Sequence, residues 1–215
     1  MRDENAMTVI FDFDGTLANT FDLVLRLYNE HAHEFGADLV AHGEMPHLRE
    51  LGYKKAMKLK KVRWRVLPKM VLFLSREMKK HMDEVKPFAG IVTMLKELQA
   101  GGINIGILTS NDSALVQDFL NVHDFPVFDF VVSEKTFFGK EKALKRIIHR
   151  YNLEKDQVVY VGDEARDVVS SKKAGVKVYG VVWGFGGAEG FVKSPPDKII
   201  KTVVELKEEL TLEAN

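Results

Sequence analysis

The stretch TVIFDFDGTL, Thr8 to Leu17, decides how this chain is read. Its opening run, Thr8 to Phe13, is rich in β-branched and aromatic residues, the make-up of a buried strand. The run ends by bringing Asp12 and Asp14 two residues apart, and alternate residues of an extended chain point to the same side. Gly15 and Thr16 follow directly.

Further along, four more β-rich runs recur: Ile103 to Leu108, Phe128 to Val132, Val158 to Val161 and Val176 to Val182. Between them lie IVTMLKELQA, ALVQDFLNV and KALKRIIHRYNL, whose apolar residues return at three- and four-residue intervals, the helical period. This alternation from residue 88 onward predicts an α/β fold, a Rossmann-like parallel sheet with helices on both faces. Residues from about Phe21 to about Val85 break the rhythm, with helical periodicity and no convincing strand. They read as an inserted helical cap, bordered by the Asn19-Thr20 turn and by the Lys86-Pro87 step, where the residue before proline is pushed out of the helical region. The expected division is therefore an α/β core at 1–19 and 86–215, with a helical cap at 20–85.

A chain of 215 residues, 46% of them hydrophobic, can fill one sizeable α/β core plus a small insert but not three domains. Lys+Arg and Asp+Glu both number 31, so net charge gives no global reason to expect nucleic acid or an anionic membrane as partner. With no cysteine there can be no disulfide, thiolate catalysis or cysteine-held zinc. The start, MRDENAMTVIFDFDG, shows no signal-peptide pattern, and no apolar run reaches membrane-spanning length. A soluble cytoplasmic protein is the expectation. Oligomeric state leaves no signature in the sequence.

Ligands of parallel α/β sheets bind outside the carboxyl ends of the strands, so the polar residues following each apolar run are the candidates. After the first come Asp12 and Asp14. After the second come Thr109, Ser110, Asn111 and Asp112, offering hydroxyls and backbone N–H groups at a helix start, an anion-binding arrangement. After the third, Gly139-Lys140 opens a helix and supplies a cation, with Lys142 close behind as the alternative lysine. After the fourth, Gly162-Asp163-Glu164-Ala165-Arg166-Asp167 adds carboxylates at 163 and 167. Alone, a DxD pair caps a turn as readily as it serves a ligand, and Thr109 reads as a helix cap. Together the four loops offer what phosphoryl transfer requires: a nucleophile, a proton donor for the leaving alkoxide, donors for the equatorial oxygens and an oxygen-ligand site suited to magnesium.

DFDGTL, LTSN, the lysine of FGK and GDEARD, in that order and spacing, resemble the four motifs of the haloacid dehalogenase superfamily, in particular its phosphatase branch related to phosphoglycolate phosphatase. The resemblance runs through nearly the whole chain and is weakest in the cap. It implies a Mg2+-dependent phosphatase acting on small phosphorylated metabolites. It implies Asp12 as nucleophile, forming an aspartyl-phosphate, and Asp14 as the acid that protonates the leaving group and then activates water. Thr109, with the Ser110 backbone, and Lys140 would hold the phosphoryl group. Asp12, the Asp14 carbonyl and Asp163 would hold the metal, with Gly15, Thr16, Gly162 and Asp167 in support. Asp14 also argues against dehalogenation, since dehalogenating members typically lack this carboxylate.

Other features compete for attention. The cap carries Arg49, Lys54, Lys55, Lys58, Lys60, Lys61, Arg63, Arg65, Lys69, Lys79 and Lys80, which read as a solvated face, with substrate steering or attachment to an acidic partner or membrane surface as alternatives. Interleaved Leu, Val, Trp64 and Phe73 read as the cap's own core. The seven histidines show no metal-ligand spacing, and His31 and His33 read as solvated. WGFGG at 183–187 lacks the dinucleotide fingerprint and reads as a loop near the site, with Trp183 and Phe185 packing beside it. Two rival functions stay open: a sugar phosphomutase of the same fold, and a binding module that uses the basic cap.

Overall fold

The computed structural model describes residues 6–134, 136 and 139–214, without side-chain detail at 42, 45, 46, 49, 50 and 52–54. Six parallel strands, β1 (Thr8–Phe11), β2 (Asn104–Thr109), β3 (Phe130–Ser133), β4 (Val158–Gly162), β5 (Lys177–Val181) and β6 (Lys198–Ile200), lie in the order β3-β2-β1-β4-β5-β6. Strand order reverses at β1, which pairs with both β2 and β4, so Phe11 sits between Ile107 and Val161. That reversal opens a crevice at the carboxyl ends of β1 and β4, the usual ligand position in such sheets.

Successive strand residues feed opposite faces. Val9, Phe11, Ile105, Ile107 and Val161 face one core, shared with Ile91, Leu95 and Leu98 of α4 (Ile91–Ala100) and with Leu206 and Leu210 of α9 (Val203–Glu213). Ile10, Leu108, Tyr160 and Val178 face the other, against Leu144 and Ile147 of α6 (Lys140–Arg150) and Val168 of α7 (Ala165–Ala174). Both faces being covered, the central strands are near-continuous apolar runs. Five of the six strands fall on the expected runs, displaced by at most two residues at either end. The sixth, β6, was not expected: it has three residues, follows Pro195-Pro196 and is defined by its pairing with β5.

Between β1 and α4 the chain forms α1 (Phe21–His31), α2 (Met45–Leu59), α3 (Leu67–Lys80) and three single 3₁₀ turns, with no strand among the described residues. The helical reading of this insert holds. Its entry and exit lie side by side, since Asn19 N–H donates to the Lys86 carbonyl at 2.8 Å and Ala18 bridges Pro87. Three readings within the insert need correction. Trp64, expected in its core, is 79% exposed, because it lies in the turn between α2 and α3, whereas Phe73 does pack inward. His31, expected to be solvated, is half-buried: its ring meets the Phe73 ring edge-on at 4.6 Å and Nδ1 lies 2.7 Å from Glu34. His33 is exposed as expected. Of the basic residues, the Arg49 and Lys54 side chains lie outside the described set. Lys60 departs from the solvated face, buried with Nζ on the Leu39 carbonyl at 2.9 Å and on Glu44 at 2.6 Å. No helix among the described residues is long and apolar enough to cross a membrane.

Candidate active site

The crevice at the ends of β1 and β4 collects buried charge. Asp12 follows β1 directly, its N–H donating to the Val161 carbonyl at 2.8 Å and thereby extending the ladder, so its side chain is aimed by the sheet itself. Its Oδ1 accepts from Phe13 N–H at 2.8 Å, and its Oδ2 lies 2.7 Å from Lys140 Nζ. Lys140, at the first turn of α6, also reaches Asp167 Oδ1 at 2.6 Å and the Tyr160 hydroxyl at 2.9 Å. It is 3% exposed, while Lys142 points to solvent, so the geometry puts Lys140 and not its neighbour against Asp12. Phe138, which precedes Gly139 in the FGK motif, lies outside the described residues.

Asp163 follows β4 and is fully buried. The Phe185 N–H donates to its Oδ2 at 2.6 Å and the Thr16 hydroxyl approaches its Oδ1 at 3.4 Å. Two glycines allow the chain to close this tightly. A Cβ on Gly15, which also takes a φ of 76°, would collide with the Asp163 carboxylate, and one on Gly184 would strike that carboxylate and the Gly15 carbonyl. Gly162 likewise lies where a Cβ would meet the Asp167 side chain. The WGFGG loop therefore borders the site as expected, and Trp183 Nε1 donates to the Thr16 carbonyl at 3.1 Å. Asp167 also anchors α7, because its Oδ2 accepts from Glu164 N–H at 3.1 Å and so forms half of the capping box that starts that helix.

Asp12, Asp163 and Asp167 can each present a carboxylate oxygen within 4.8 Å of the others. The Asp14 side chain stands outside this trio; its Oδ2 lies 3.5 Å from Asn111 Nδ2, and its Oδ1 is buried, with the Thr20 side chain favouring its charged form. Thr109 ends β2 fully buried, with Oγ1 accepting from Asn111 N–H at 2.9 Å. The helix start next to it is α5 (Ser113–Val122), where Asp112 accepts from Ala114 N–H at 3.1 Å, so part of the anticipated anion-binding backbone is already capped. Exposed Ser110 joins Asp14, Asn111 and Asp112 along a cleft of about 370 Å³, whose opposite wall is Ser75, Met78 and Lys79 of α3.

Burial dominates the electrostatics. It raises the Asp12 carboxyl above its ordinary range, opposed chiefly by the Lys140 charge. It raises Asp163 further, with Glu164 and Asp12 adding repulsion. Asp14 is pushed up to about 7, by burial first and then by the Asp12 charge. Burial alone would lower the Lys140 ammonium, but Asp12 and Asp167 outweigh it and hold lysine well above its usual range. Three residues escaped the sequence reading. Tyr160, inside the apolar run of β4, gives no sign of its role under Lys140, and the Glu164–Arg166 pair, at 2.6 Å, flanks the trio.

These groups fit a hard divalent cation. Every donor is oxygen, as magnesium prefers. Among the described residues, the cations paired with these carboxylates are Lys140, on Asp12 and Asp167, and Arg166, on Glu164, so full ionisation of these three and of Asp163 leaves a surplus of two negative charges, with Asp12, Asp163 and Asp167 buried. Like charges so close raise one another's pKa unless a cation intervenes.

Residues 9–181 match the haloacid dehalogenase-like hydrolase family, and the chain belongs to it. It is 27% identical over 204 residues to a phosphoglycolate phosphatase of Synechococcus elongatus, covering 94% of this chain and 96% of the relative. It is 24% identical over 211 residues to the pyrophosphatase PpaX of Bacillus pumilus, covering 96% and 97%. In three dimensions it superposes on a haloacid dehalogenase-like hydrolase of Streptococcus pneumoniae with a TM-score of 0.72 at 19% identity, covering 95% and 98% of the two chains.

Proposed function

We propose that this hydrolase is a magnesium-dependent phosphatase of small phosphorylated metabolites, with Asp12 as its nucleophile. The observation that carries the reading is the 2.7 Å contact between Lys140 and Asp12 inside a buried carboxylate cluster beside an open cleft. A buried aspartate whose charged form a lysine favours against the effect of burial is an available nucleophile, and the relatives are named as a phosphoglycolate phosphatase and a pyrophosphatase.

In this reading an Asp12 carboxylate oxygen attacks phosphorus, and the ester P–O bond breaks. The leaving alkoxide takes the proton of the Asp14 carboxyl, which a pKa near 7 keeps available at neutral pH. Asp14, now a carboxylate, accepts a proton from a water that attacks the aspartyl-phosphate, releasing inorganic phosphate and regenerating Asp12. Thr109, the Ser110 backbone and Lys140 hold the phosphoryl oxygens. Asp12, Asp163 and the Asp14 carbonyl would hold the cation, with Gly15, Thr16, Gly162 and Asp167 fixing their positions. A divalent cation bound there would supply positive charge where the nucleophile and the phosphoryl group would otherwise repel. Residues 20–85 act as the cap over a core of 1–19 and 86–215, a role supported by α3 residues walling the same cleft as Asp14 and Ser110. Residues 1–5 of that core lie outside the described residues.

The test is release of inorganic phosphate from a panel with Mg2+, including phosphoglycolate, pyrophosphate and hexose phosphates, with Asp12→Asn as control. Turnover that disappears with chelator and in the control is expected. If no member of the panel is cleaved, or Asp12→Asn keeps the wild-type rate, the reading is wrong.

A further inference from the structure

A second pocket, open at the surface and about 260 Å³ in volume, lies in the helical insert, walled by Val24 and Leu25 of α1, Ala56 and Met57 of α2 and Met70 and Leu74 of α3. Among the described residues its lining is apolar apart from Lys60 and Tyr28, and both polar ends are engaged elsewhere: Lys60 Nζ is on the Leu39 carbonyl and Glu44, and the Tyr28 hydroxyl donates to the Asp38 carbonyl at 2.8 Å. An apolar pocket of this kind favours an apolar guest, because covering its lining removes apolar surface from water.

Its position gives the guest an identity. Phe185 walls both this cavity and the cleft that holds Asp14 and Ser110, and its own N–H holds Asp163. The same helix lines both: Ser75 and Met78 of α3 face the cleft, Met70 and Leu74 face the cavity, one turn or about 5.4 Å further along the axis. We infer that the cavity receives an apolar alkyl or aryl portion of the substrate's leaving alcohol, while the phosphoryl group lies at Asp12, so the preferred substrates are phosphate monoesters of apolar alcohols. This rests on the phosphatase reading above and narrows its substrate class.

Alkyl phosphates isolate the effect, because ethyl, butyl and hexyl phosphate have leaving groups of nearly equal basicity and differ only in apolar length. Each buried methylene is worth about fourfold in affinity. With the full chain and Mg2+, kcat/KM should rise at least about tenfold from ethyl to hexyl phosphate, and Ala56→Leu, which fills the cavity far from the carboxylates, should level the series by lowering hexyl turnover while ethyl turnover, which also reports folding, is kept. A flat wild-type series, with ethyl phosphate or phosphoglycolate cleaved, overturns the inference and leaves the phosphatase reading intact. A rising series that Ala56→Leu does not level also overturns it, since the alkyl chain would then bind elsewhere. Cleavage of no ester at all removes the phosphatase reading and this inference with it.

Discussion

Lys140 Nζ stands 2.7 Å from Asp12 and 2.6 Å from Asp167, one ammonium joining the end of β1 to the first turn of α7. Ion pairs this deeply buried lose more when one partner is deleted than they contribute intact, since the survivor stays desolvated and uncompensated.

Replacing Lys140 by Ala should therefore cost about 3–5 kcal/mol of stability, two carboxylates being stranded at once. Lys142→Ala, on the solvent side of the same helix, should change stability by less than about 0.5 kcal/mol. Urea titration of the two variants checks the contrast. Equal effects would mean that the pairing seen here contributes little.

Cation binding should register as stability. Mg2+ ought to raise the thermal midpoint of the wild type in proportion to the logarithm of its concentration above saturation, because a ligand of the folded state alone stabilises by mass action. Asp163→Asn removes a fully buried carboxylate from the trio and should abolish that rise without unfolding the metal-free protein, which is relieved of a repulsive charge. A midpoint in Asp163→Asn that still climbs with Mg2+ would place the cation elsewhere.

Metal-free protein should lose stability as pH rises from about 4 to about 7. Asp14 keeps its proton to about 7 when folded and releases it near 3.8 when unfolded, so in that window the unfolded state binds fewer protons. Stability is then complete below the unfolded value and falls as pH rises through the folded one. Burial of Asp12 and Asp163 acts with the same sign. Chemical denaturation across this range should show the decline, Asp14→Asn should make it shallower, and saturating Mg2+ should oppose it. A stability that climbs over the same interval contradicts the electrostatics described.

Gly184→Ala should be costly. Its new methyl would meet a buried carboxylate and the Gly15 backbone, neither able to swing aside, so a loss of about 1–3 kcal/mol and weakened Mg2+ binding are expected. Gly190→Ala, with open space around it, should be neutral. Thermal melts of both with and without Mg2+ distinguish a steric requirement from a general intolerance of substitution in this loop.

Much of this arrangement was legible in the sequence because the sheet imposes it. Continuous apolar runs can be buried only in a covered parallel sheet, and the residue after each run must then emerge at one edge; Asp12, Thr109 and Asp163 do so. Lys140 is favoured over Lys142 by its place after Gly139 and by the motif, but its burial shows only once α6 has a direction, since which side of a helix is covered is a tertiary fact. Tyr160 was hidden by its setting, a polar tip on a ring that reads as strand filler. β6 exists by virtue of its partner β5, and three residues carry no period. Trp64 shows the converse failure: an amphipathic pattern says which residues share a face, not whether anything covers it.

The hydrogen bond that steadies Asp163 comes from the main chain of Phe185, not its ring. Any amino acid except proline at 185 could deliver the same N–H, while its side chain remains free to vary against the helical insert. Gly184 and Gly186, which a Cβ would drive into Asp163, fix the path of the loop. Descendants of this enzyme could thus explore new preferences at a single codon while the reaction centre is inherited unchanged.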